Sequence, residues 1–146
     1  MRPISIWVFL FAVFSSNLFS ETPPNKITIE TSKGKAVVSV EVVETVAARA
    51  QGLMFRRHLA DDAGMLFIFP GPTQGSFWMK NTRLPLDIVF ADAAGQIVDI
   101  LEQATPFSEK LLTPKSPYVQ VLEVNAGFVK KHRIAVGDRL SRSRRR

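Results

Sequence analysis

Short apolar or alternating runs recur along this chain, each soon closed by glycine, proline, asparagine or aspartate, and only brief stretches hold a helical period. That punctuation constrains the fold most, because it leaves room for many short strands and little else. Lys26–Thr31 alternates apolar and polar residues, and Ala36–Val43 is rich in β-branched ones. With the Ser32-Lys33-Gly34-Lys35 turn between them, they read as a hairpin. Gly64–Phe69 is wholly apolar and is stopped by Pro70-Gly71-Pro72, the mark of a buried strand with a hard end. Ser76–Lys80 reads as a further strand, and Asn81–Pro85 as a bend. Leu86–Ala91 and Gln96–Glu102 flank the hairpin signal Asp92-Ala93-Ala94-Gly95, and Tyr118–Val124 alternates again. Ile134–Leu140 closes the series with a Gly137-Asp138 turn.

Helical periodicity is confined to two places. Thr45–Met54 puts Val46, Ala50 and Leu53 on one face, with Thr45 as a cap and Gly52 near the end. Asn125–His132 has length for one or two turns, with Asn125 as its cap. Thr105–Pro117 holds three prolines and no period, so it reads as a long loop suited to covering a site. The expected fold is mainly β: a single-domain antiparallel β-barrel or sandwich with one or two short helices.

The chain starts with a positive residue, Arg2, then the apolar run Ile4–Phe14, then small residues. This is the order of a secretory signal peptide, with cleavage after Ser20. The run is shorter than the ~20 apolar residues of a comfortable membrane span, so no stable span is expected after cleavage; retention as an anchor is the alternative. Residues 21–25 read as a linker, 26–140 as the domain and 141–146 as a basic tail. A periplasmic or secreted location follows. The chain has no cysteine, which removes disulfides, thiolate chemistry and a lipid anchor on sulfur.

The net charge of +6 is misleading, because Arg2 and the five arginines among residues 139–146 supply it; between Glu21 and Asp138 there are 13 basic and 13 acidic residues. A neutral body does not fit a nucleic-acid surface. Arg142, Arg144, Arg145 and Arg146 offer at most a weak contact with an anionic surface.

Several ordered blocks carry a resemblance. Gly52-Leu53-Met54-Phe55-Arg56, Gly64-Met65-Leu66-Phe67, Phe77-Trp78-Met79-Lys80-Asn81-Thr82, Pro85-Leu86-Asp87 and Leu122-Glu123-Val124-Asn125-Ala126-Gly127 resemble the signature of the domain of unknown function 192 family. The resemblance runs from about Ile27 to Leu140. It implies one compact β-rich domain, often exported, and no established reaction.

The residues themselves point to a binding wall. In a strand Phe77 and Met79 face the core, while Trp78 and Lys80 face out. An exposed Trp78 stacks on a flat apolar face such as a sugar ring, and Lys80 and Asn81 supply hydrogen bonds. Asp87 needs a partner, for which Lys80, Arg83, Arg56 or backbone amides are at hand; it then fixes the bend or serves as an acid or base in a cleft. Glu123 is an anomaly inside an apolar strand. Arg56 and Arg57 either clamp an anion or pair with Asp61, Asp62 or Asp87.

The leading reading is a ligand-binding module for a carbohydrate or cell-envelope component, built on Trp78, Lys80, Asn81 and Asp87 with Arg56 and Glu123 as partners. A hydrolase using Asp87 and Glu123 as paired carboxylates is the alternative, and an interaction module without a small-molecule site is the third. Met54, Met65 and Met79, with His58 and His132, raise a copper site, but each methionine lies in an apolar run where it fills core space. No metal or cofactor is expected. The sequence has no phosphate loop, dinucleotide fingerprint or zinc motif.

Overall fold

The computed structural model describes residues 25–142. The expected signal segment 1–20, residues 21–24 and the tail arginines Arg144, Arg145 and Arg146 lie outside it. Seven strands form one sheet: β1 (Asn25–Thr31), β2 (Gly34–Val43), β3 (Ala63–Thr73), β4 (Leu86–Ala91), β5 (Ile97–Ala104), β6 (Tyr118–Asn125) and β7 (Arg139–Arg142). Two short helices interrupt them, α1 (Val46–Gln51) and α2 (Phe128–His132). The order across the sheet is β5-β4-β6-β3-β2-β1-β7.

The mainly β, barrel-like expectation holds, with one pairing of a different kind. β2 and β3 run parallel, with Ser39–Val43 alongside Ala63–Phe67. A parallel pair needs a crossover rather than a tight turn, and the segment through α1 supplies it. The two edges of the sheet curl toward each other. Gln96 bridges Arg139, and the Leu140 N–H donates to the Gly95 carbonyl at 2.7 Å. Ser141 and Arg142, expected in the tail, belong to β7, which pairs with β1.

Two apolar layers result, one on each face. The inner layer draws on both edges of the sheet, with Ile27, Ile29, Val38, Leu66, Val89, Leu122, Val124 and Leu140, and is plugged by Phe128 and Val129 of α2. The outer layer lies on β3, β4 and β6, with Met65, Phe67, Ile88, Phe90 and Val121, and is roofed by Leu53, Met79 and the half-buried Phe77 and Leu112. Because both faces are covered, all six residues of β4 are buried.

Local differences from the sequence reading have simple causes. β3 runs past Phe69 to Thr73, with its register on β6 shifting between Ile68 and Thr73; the prolines, which cannot donate to a ladder, are absorbed in that irregularity. Ser76–Lys80 is not a strand: only Phe77 makes a bridge, to Leu112. α1 starts at Thr45, whose hydroxyl accepts from the Ala48 N–H, and ends at Gly52 with φ 50°. Of its expected apolar face only Leu53, just past the helix, is buried; α1 itself buries no residue, and Val46 and Ala50 are exposed. Arg49 holds the helix instead, donating to the Glu44 carbonyl and, at 3.0 Å, to that of Ile68. Asn125 does not cap α2; its amide donates to the carbonyls of Leu59 and Ala60.

The long loop 105–117 is tied down rather than free to swing. Asp99 accepts from the Lys115 N–H at 2.7 Å, the Phe77–Leu112 bridge holds its middle, and the Met79 N–H donates to the Ser108 carbonyl.

Candidate functional site

β4 and β6 pair antiparallel with Asp87 opposite Val124 and Ile88 opposite Glu123. Side chains paired across a ladder share a face, and neighbours along a strand take opposite faces. Asp87 therefore points into the barrel with Val124, and Glu123 points into the outer layer with Ile88. The paired-carboxylate reading of Asp87 and Glu123 is corrected on this ground: the sheet itself stands between them.

Asp87 is a structural residue. It is 0% exposed, and its carboxylate accepts from three backbone N–H groups. Gln103 donates to one oxygen at 2.9 Å, and Gly127 and Val129 donate to the other at 2.9 and 3.0 Å. Gly127 precedes α2 and Val129 lies in its first turn, so Asp87 caps from a distance a helix whose own sequence provides no side-chain cap. Asp87 thus leaves the expected binding wall.

Arg56 also leaves it. Its guanidinium makes a two-pronged pair with Glu41, at 2.7 and 2.6 Å, and not with Asp61, Asp62 or Asp87. The hydrogen bond to Arg56 holds the Glu41 carboxyl below its ordinary value. The pair fastens the turn after α1 to β2.

Glu123 is a different kind of residue. It is 6% exposed, and no hydrogen bond or charged neighbour among the described residues offsets that burial, so its pKa is pushed up to about 8 by desolvation. Every fully enclosed side-chain nitrogen or oxygen among the described residues has a partner. The unpartnered Glu123 oxygens are therefore ones that reach open space. That space is a pit of about 40 Å³ lined by Gly52, Leu53, Met54, Trp78, Met79, Thr82, Leu86 and Glu123, with Ala50 and Gln51 at its edge. The volume suits one or two waters or a single small group.

Four segments build the pit. β6 and β4 bring Glu123 and Leu86 as its floor. The turn after α1 brings Leu53 and Met54; Gly52 is required there, because a Cβ would sit 3.2 Å from the Phe67 ring. The turn at 78–82 brings Trp78, Met79 and Thr82, whose hydroxyl donates to the Lys80 carbonyl at 3.1 Å. Four of the five sequence blocks thus converge on this spot.

Trp78 and Lys80 face outward as expected. Trp78 is 44% exposed. The Lys80 ammonium lies 5.1 Å from the Trp78 ring centre and 3.5 Å from Glu109. Asn81 is exposed with φ 54°, and its carbonyl accepts from the Phe55 N–H; its side chain makes no hydrogen bond among the described residues.

Two aromatic residues escape sequence reasoning. Phe55 is 70% and Phe107 59% exposed, and both take left-handed backbone, φ 64° and 61°. Each is stitched to the same turn, since Phe107 N–H donates to the Thr82 carbonyl as Phe55 N–H does to that of Asn81. Non-glycine residues in this region of φ cost about 1–3 kcal/mol each and gather at functional positions. Positive φ has no signature in a phenylalanine, so nothing in the sequence marks them.

Among the described residues no group of three or more histidine, aspartate or glutamate side chains could hold a metal, and no helix is long and apolar enough to cross a membrane. His132 stacks on Phe128, remote from the pit, and His58 is exposed outside its lining.

No curated protein matches the chain. A crystal structure from Sinorhizobium meliloti 1021, provisionally assigned as a transcription regulator, is 41% identical with a TM-score of 0.79, covering 81% of this chain and 92% of that one. A protein of unknown function from Novosphingobium aromaticivorans DSM 12444 is 36% identical with a TM-score of 0.77, covering 80% and 83%. The model of the DUF192 family, described as an uncharacterised ACR, matches residues 28–142, and the chain belongs to that family.

Proposed function

We propose that this protein is an exported binding module whose ligand crosses the Trp78 rim and ends on Glu123. The observation that carries the reading is the unpartnered Glu123 carboxyl at the floor of a pit. A carboxyl whose oxygens reach only this narrow opening is poorly hydrated, and an occupant of the pit offers it the hydrogen-bond partner that the fold does not. With its pKa near 8 the carboxyl is mostly protonated at pH 7, so it both donates and accepts a hydrogen bond. That matches a hydroxyl or amide of a carbohydrate or other envelope component, while the exposed Trp78 ring supplies a stacking surface. Export rests on the N-terminal charge and apolar pattern. Nucleic acid is not favoured, because the body of the chain carries equal numbers of acidic and basic residues.

A thermal-shift screen with envelope sugars tests this, comparing wild type with Trp78→Ala and Glu123→Gln. The reading expects a shift in wild type that both variants lose. A shift retained in both would move the site elsewhere. No shift with any ligand would favour an interaction module, a reading supported by the exposed Phe55, Trp78 and Phe107 around one turn.

A further inference from the structure

The three methionines of the described chain all gather around Glu123. Met54 and Met79 line its pit. Met65 stands directly opposite Glu123 on the β3–β6 ladder, on the same face. The sequence placed each in an apolar run as filler; the fold brings two thioethers, one carboxyl and an indole to one opening.

We infer that the pit binds one soft monovalent cation, Cu(I) or Ag(I), through the sulfurs of Met54 and Met79 and the carboxylate of Glu123, with the Trp78 ring beside it. The inference rests on the reading of this pit as a binding site and gives Glu123 a cation in place of the hydroxyl or amide named above.

Three physical arguments favour this ion. Thioether sulfur is a soft ligand that selects Cu(I), and hard cations such as calcium take six or more oxygens. The pit offers one carboxylate and the Thr82 hydroxyl. Charge balance points the same way. One positive charge on one carboxylate leaves a neutral, apolar site, whereas a divalent ion would leave an uncompensated charge in a desolvated place. The size agrees too, since about 40 Å³ admits a bare ion and not one with its full hydration shell. The step is a simple exchange: the protonated Glu123 carboxyl gives up its proton to solvent and its oxygen binds the ion. No electron moves.

Silver, which needs no reductant, is the probe. Calorimetry of the full-length protein with Ag(I) at pH 7 is expected to show one equivalent bound. Thermal shift is expected with Ag(I) and not with Zn(II) or Na⁺. The double variant Met54→Leu/Met79→Leu and, separately, Glu123→Gln are expected to bind silver at least about tenfold more weakly. Leucine replaces methionine at similar volume, and the melting temperature without metal reports folding. Should the double variant not fold, Met54→Leu alone, at a half-buried position, carries the comparison.

Unchanged silver affinity in the methionine variant and in Glu123→Gln overturns the assignment. If an envelope sugar shifts the melting point through Glu123 and silver does not, the metal is wrong and the binding module stands. If neither shifts it, both fail.

Discussion

Glu123 makes the stability of the fold depend on pH. Its carboxyl titrates near 8 in the folded chain against an ordinary value of 4.5. The folded state therefore holds an extra proton between those values, and stability falls as pH rises through that window. The loss is roughly 3 kcal/mol by pH 7. Urea titrations at pH 4.5 and pH 7.5 are expected to show it in wild type and not in Glu123→Gln. Asp87 behaves oppositely, as an acceptor the fold cannot lose. Asp87→Ala strands three N–H donors, one buried and two half-buried, and is expected to cost about 3 kcal/mol in the same measurement. At this scale the sequence was only partly legible. Glu123 stood out because an ionisable residue interrupts an alternating apolar strand, and the alternation expected of Trp78 outward and Met79 inward is met although the segment is not a strand. The partners were not legible: Asp87 is held by residues 16 to 42 positions away, and Arg56 chose Glu41, 15 positions back. Such distances are set by the fold and leave no local pattern.

At the scale of elements, the ends of α1 were readable, since a capping threonine and a left-handed glycine act within a few residues. Thr45→Ala is expected to cost about 1 kcal/mol, seen as a lower melting temperature. What α1 does was only partly readable, because, of its periodic residues, Val46 and Ala50 stay in solvent and only Leu53, just past the helix, is buried, while an arginine holds the helix to β3. The pairing of β3 with β6 is tighter than either strand reveals. A Cβ at Gly64 would lie 2.5 Å from the Glu123 carbonyl oxygen, so Gly64→Ala must push the two strands apart. The expected result is a destabilised protein with a displaced Glu123, read as lost ligand or silver binding beyond the loss of stability. The loop at 105–117 was legible as a loop; its fixed anchoring through Asp99 and Leu112 was not.

Across the whole molecule, closure depends on the seam between β5 and β7. Gly95 has φ 84°, and a Cβ there would come 2.2 Å from the Leu140 carbonyl oxygen. Gly95→Ala is expected to open the seam, lowering the melting temperature and speeding amide exchange in β7 and β1 while β3, β4 and β6 stay protected. The barrel class followed from strand counting; the parallel β2–β3 pair did not, since pairing partners far apart in sequence are invisible to local pattern. That same architecture bears on how the chain folds as it is made. The first described strand pairs with the last described one, Ile29 against Leu140, so the wall of the barrel stays incomplete until β7 emerges. A chain still being synthesised exposes the free edge of β1 and has no finished core to lock. Such late closure is slow by the measure of sequence separation, and it leaves the nascent protein open to capture by factors that keep chains unfolded.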